Sequence, residues 1–183
     1  MSVVLSGSPA VVAVLLSAAR TSGFVITRMK LAKLLYLADV RATESLGHAG
    51  SGFTWKWLNY GPYDMAIEAV EKGLHDRKII EHDVTANYYG SPEHRLRLRF
   101  MPQIEVDAAY AEIVGAIVLE YGAHSPTTLK DLTYETPPML AAQELNIRGV
   151  VLDLTTPRPV PDMTDRLAEF NEILRVQPPQ ETE

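Results

Sequence analysis

Five histidines and three alternating arginines are the side chains of this chain that could do acid–base, metal or phosphate chemistry. His48, His75, His82, His94 and His124 fall in separate parts of the sequence. A metal ion needs three or four ligands in fixed geometry. The set to assemble would be His75, Asp76 and His82, with His94 folded back from the next strand. The spacing contains no HExxH pair, no glycine-rich phosphate loop after a strand and no Gly-x-Ser-x-Gly elbow. There is no cysteine, which removes disulfides, thiolate metal sites and cysteine nucleophiles together. Scattered surface histidines are the commoner arrangement. The expectation is therefore no catalytic residue, no metal, no cofactor and no enzymatic activity.

Arg95, Arg97 and Arg99 are spaced by two, so on a strand they project to one side and could each meet a phosphate. The plainer reading is a solvated strand face whose charge discourages edge pairing. The helix expected before them carries Asp64, Glu68, Glu71 and Asp76, and acid facing phosphate is repulsive. Nucleic-acid contact through the arginines is thus the second reading, behind protein binding. Trp55, Trp57, Tyr60, Tyr63, Tyr88 and Tyr89 crowd one region. Large aromatics dominate both cores and binding hot spots. Trp55 and Trp57 share a strand face and are expected in the core. Tyr63, Tyr88 and Tyr89, with Glu68 and Glu71, form the expected partner-binding surface. Lys30, Lys33 and Asp39 read as a solvated helix edge, with Lys33 or Tyr60 as the partner of Asp39 if that carboxylate is buried.

Two runs must position these side chains. Residues 29–39 are apolar on nearly every side, with Leu31, Leu34, Leu35 and Ala38 on one helical face, and so predict a central helix capped by Thr27. Residues 53–58 alternate, with Phe53, Trp55 and Trp57 on one face, and predict a strand. Tyr60-Gly61-Pro62 then predicts a stop and a new helix from Pro62 to Asp76, with Met65, Ala66, Ala69, Val70 and Leu74 inside. Before these, Ser8-Pro9 opens a helix to Thr21. After them come a strand over 78–84 and another over 94–100, the latter with Leu96, Leu98 and Phe100 inward, making a hairpin. Helices follow over 104–121, 125–132 and 137–145, with a short edge strand over 150–154. The fold class is mainly α with a small antiparallel β-hairpin (α+β), in the helix–strand–helix–hairpin order of a winged helix. Residues 1–155 form that domain. Residues 156–176 form a proline-rich linker and an amphipathic helix packing on it, and 177–183 a flexible tail.

Composition agrees with a folded protein: 183 residues are enough for a real core, 46% are hydrophobic and 22% charged. The net charge of −6 does not advertise nucleic-acid binding by the whole molecule. Residues 10–19 are apolar but too short to span a bilayer and lack preceding basic residues. No membrane association is expected, and a cytoplasmic location is.

Lys33-Leu34-Leu35-Tyr36, followed by Trp57-Leu58-Asn59-Tyr60-Gly61-Pro62, resembles the SocA-like antitoxin family, the Panacea domain, over roughly residues 24–140. The Gly-Pro-Tyr form is also similar to the YwgA-type bacterial proteins. The resemblance implies a protein-binding antitoxin that neutralises a cognate toxin, and in some members a proteolytic adaptor that brings in a protease. A winged-helix DNA-binding regulator is the alternative, and an uncharacterised hydrolase or metal enzyme the third. Tyr134 stands where the family often has His, so no role of that His carries over.

Overall fold

The computed structural model describes residues 6–21, 25–86, 90–100 and 105–157. The expected helix over 165–176, the tail 177–183, and Tyr88 and Tyr89 lie outside the described residues. Among the described residues the fold is mixed α+β, mainly helical, with two small antiparallel sheets.

The apolar run becomes helix α2 (Arg28–Leu46), capped as expected by the Thr27 hydroxyl on the Lys30 amide and closed by Gly47 in the left-handed region. It is buried from Lys30 through Val40, because neighbours cover every side. Helix α1 (Ser8–Thr21) packs on it with Val11, Val12, Val14 and Leu15 inside. Helix α4 (Ala108–Tyr121) begins four residues later than expected and buries Tyr110, Val114, Ile117 and Val118. Helices α5 (Pro126–Tyr134) and α6 (Pro137–Leu145) follow it.

The aromatic run alternates as expected: Phe53, Trp55 and Trp57 are buried, Thr54 and Lys56 exposed. Only its end forms strand β2 (Lys56–Leu58). The segment 149–152 lies along its other side, through Trp57 N–H to Val150 O at 3.0 Å and Leu152 N–H to Trp55 O at 2.9 Å. The expected strand over 150–154 is thus a single bridge, Lys56 to Val151.

Pro62 does not open a helix. Gly61, Pro62 and Tyr63 form strand β3 (Gly61–Tyr63), which folds back on β2 with Trp57 opposite Pro62. The fixed φ of proline suits extended backbone as well as a first helical turn, and the pairing decides between them. Gly61 makes the reversal at φ +89°, where a Cβ would sit 3.0 Å from the Tyr134 ring. Helix α3 (Ala66–Asp76) starts four residues late, with the Asp64 carboxylate receiving the Ala66 amide at 2.8 Å. Its buried stripe is Ile67, Val70, Glu71 and Leu74, and Met65, Ala66 and Ala69 lie outside.

The hairpin is β4 (Ile80–Ala86) with β5 (Pro92–Leu98). A two-residue strand, β1 (Ile26–Thr27), pairs with β5, giving the order β1-β5-β4. Leu96 is buried and Leu98 partly so, but Phe100 lies past the strand end and is exposed rather than inward.

Candidate functional site

The two diagnostic runs meet through buried charge. Lys33, on α2, is fully buried, and its ammonium donates to the Pro62 carbonyl at 2.7 Å. It fastens β3 to α2. Burial, with Lys130 nearby, lowers its pKa to about 7. Asp39, two turns on, is also fully buried. Its carboxylate accepts from the Gly50 amide at 3.1 Å, the Ser51 amide at 2.9 Å, the Trp55 indole at 2.7 Å and the Tyr110 hydroxyl at 2.9 Å, as well as from the Ser51 hydroxyl. Neither residue is a solvated edge. The partners of Asp39 are not Lys33 and Tyr60. Such a donor set satisfies a buried carboxylate that would otherwise be costly.

Pinned this way, the β2–β3 hairpin presents its tip, Asn59 and Tyr60, to solvent; Tyr60 is 67% exposed. Trp57, below it, is clamped from the far side. Its indole donates to the Tyr134 hydroxyl at 3.1 Å, and the Arg148 guanidinium lies 4.0 Å from its ring while donating to Leu58 O and to Tyr134. Tyr134 therefore serves the hairpin as a hydrogen-bond acceptor.

The tip overhangs a cleft of about 650 Å³. One wall is Leu58–Gly61 with Tyr63, a second the first turn of α2 with Arg28, a third Ser91–His94, a fourth Pro126 and Thr127 of α5; Lys33 forms the floor. Of the expected partner surface, the structure brings Tyr63, Glu68 and Glu71 together around Arg28. Tyr63 is half-buried and donates to Glu68 at 3.3 Å; burial, then the Glu68 charge, pushes its pKa up. Glu68 is solvent-exposed and lies 3.6 Å from Arg28. Glu71 is only 1% exposed and receives Arg28 at 2.6 Å, so it is an internal ion-pair member and not a surface contact. Burial raises its pKa against the pull of Arg28. Arg28 went unread in the sequence, though it carried a signal. A cation in the first turn of a helix opposes the macrodipole, which implies a carboxylate from elsewhere.

The arginines do project to one side, but each has a carboxylate. Arg95 meets Glu93 at 2.7 Å, Arg97 meets Glu81 and Asp83 at 3.1 Å each, and Arg99 lies 3.8 Å from Glu81. Register places Glu81 opposite Arg97 with Asp83 diagonal to it, while Glu93 is two residues before Arg95 on the same strand. The hairpin also brings His82 to His94, with Nε2 and Nδ1 2.8 Å apart, and sets the His75 and His82 rings 6.4 Å apart. Burial first, then His94, Arg28 and His75, holds His82 below the ordinary imidazole pKa. Among the described residues no three His, Asp or Glu side chains group as metal ligands. No helix among them is long and apolar enough to cross a membrane.

No curated protein and no solved structure matches the chain. A family model does, over residues 31–138, and that span contains Lys33, Asp39, the β2–β3 hairpin and α5. The match covers more than half of the sequence and carries an antitoxin-type role with it. The chain belongs to the antitoxin SocA-like family and holds its Panacea domain.

Proposed function

We propose that this antitoxin-type protein neutralises a cognate toxin in the cytoplasm by binding it, without catalysis, at the β2–β3 tip and the cleft beneath. The observation that carries this reading is Tyr60: a large aromatic, 67% exposed, on a tip held from below by Lys33 and from behind by Trp57, Tyr134 and Arg148. A rigid aromatic loses little entropy on binding and is the common anchor of an interface. Tyr63 and Glu68 lie beside it in the same cleft. The resemblance also implies an adaptor role. That would need a second surface for a protease and is a separate proposal, tested by whether the toxin becomes shorter-lived when the chain is present.

The DNA-binding alternative draws on element order, and a fold-level likeness carries no activity. Against it, the arginines spend their charge on Glu81, Asp83 and Glu93, so the sheet face offers phosphate little net field.

Co-expression with the product of the adjacent open reading frame tests the proposal. Growth should be rescued by the wild type and lost with Tyr60→Ala, while that variant keeps the wild-type melting temperature. Rescue by Tyr60→Ala equal to wild type would remove the hairpin tip from the interface. A salt-steep, sequence-selective gel shift abolished by Arg95→Glu, Arg97→Glu and Arg99→Glu together would favour the regulator reading.

A further inference from the structure

We propose that the cleft captures an extended stretch of polypeptide by strand addition to the free edge of β5. This gives the partner-binding reading above a mode of capture and rests on it.

The two sides of β5 are unequally used. All seven of its residues pair with β4. On the other side β1 pairs only with Leu96 and Arg95, because Thr27 is already the cap of α2 and the chain turns away at Arg28. Among the described residues, Pro92, Glu93 and His94 have no strand beside them on that side. These three, with Ser91, form one wall of the cleft. The N–H and C=O of successive strand residues alternate in direction, so either Glu93 or His94 aims both groups into the opening. The hairpin tip with Tyr60 lines the same cleft and could cover a side chain of whatever lies in it.

The electrostatics favour a peptide backbone over a charged ligand. Arg28 is occupied by Glu71 and Glu68, and Glu93 by Arg95. Among the described residues the exposed charges of the cleft are thus matched and this end of β5 has no strand beside it, which an extended chain complements. The outer edge of β4 is a strand edge too, but it carries the carboxylates of Glu81 and Asp83, a common guard against pairing.

The test uses the full chain and a random dodecapeptide library displayed on phage. The best-enriched peptide is resynthesised with a single backbone N-methyl group at each position in turn, and affinity is read by fluorescence anisotropy. Strand addition predicts a period-two pattern. Alternate positions lose about tenfold or more, the worth of roughly one hydrogen bond, and those between change little. Tyr60→Ala should weaken the unmethylated peptide at least as much. Hydrogen exchange in the complex should slow over residues 90–94. The inference is overturned if no peptide enriches, if losses recur every third or fourth position, if every N-methyl is tolerated, or if protection falls on Ile80–Ala86 instead. A chain that selects strand-adding peptides but never binds the toxin would sink the antitoxin reading and leave this one standing. A chain that binds the toxin through Tyr60 with no period-two peptide overturns only this one.

Discussion

Replacing Lys33 with Met should make the protein's stability respond to pH in a new way. The side chain is fully buried, and its pKa falls from the ordinary 10.5 to about 7. The unfolded chain therefore holds a proton on this residue between pH 7 and 10.5 that the folded chain has released. Stability rises with pH wherever the unfolded state binds more protons. From about pH 7 to about 9.5 the wild type should gain about 3 kcal/mol from Lys33 alone, since each proton so released is worth roughly 1.4 kcal/mol for every step of one in pH. Below pH 7 the ammonium is charged in both states and the full desolvation penalty is present. Lys33→Met deletes that penalty and leaves the Pro62 carbonyl without its donor, a loss of about 1–3 kcal/mol. Near pH 6 the variant should match or exceed the wild type. By about pH 9.5 it should fall below it. The assay is urea unfolding of both proteins across that range, stopping short of the tyrosine region because burial raises Tyr36 and Tyr110. Parallel pH curves for the two proteins would refute the reasoning, since they would mean that Lys33 titrates alike in both states.

Other expectations follow from the same contacts. Asp39→Ala strands the Trp55 indole, the Tyr110 hydroxyl and two backbone amides, so it should cost more than about 3 kcal/mol or abolish folding; denaturant midpoints decide. Glu71→Lys should destabilise by about 3–5 kcal/mol because it faces Arg28 inside the fold, whereas Glu68→Lys, solvent-exposed, should leave unfolding nearly unchanged. Leu34→Ala should cost about 2–5 kcal/mol, as truncation of a wholly buried leucine does; a variant that melts like the wild type would contradict the central position of α2.

Hydrophobic periodicity made α2, the alternating aromatic run and the β4–β5 hairpin legible, because each exposes its period in neighbouring residues. Three things were not legible, for one shared reason. Pro62 suits two backbone states, and only the strand opposite and the amine of Lys33 select the extended one. Glu71 looks like any acid on a helix until it is known which face of α3 packs inward, and Arg28 of α2 lies on that side. Asp39 has no local sign of its donors, since Tyr110 is 71 residues away. Tyr63 and Glu68 line the cleft together with Tyr60, whose exposure follows from the β2–β3 reversal and has no sign in the local sequence.

The polar groups of α2 have a further consequence for synthesis. Asp39 is translated 71 residues before Tyr110, Lys30 92 residues before the Gly122 carbonyl it binds, and Tyr36 100 residues before Thr136. At roughly 5–20 residues per second, a nascent chain spends roughly 4–14 s with Asp39 made and Tyr110 absent. During that interval α2 lacks the cover of α4 and Asp39 lacks its Tyr110 donor, although α1 and the Gly50, Ser51 and Trp55 donors are already made. A chain cut short before residue 136 lacks the Thr136 partner of Tyr36 and should be more open to proteolysis than the full chain.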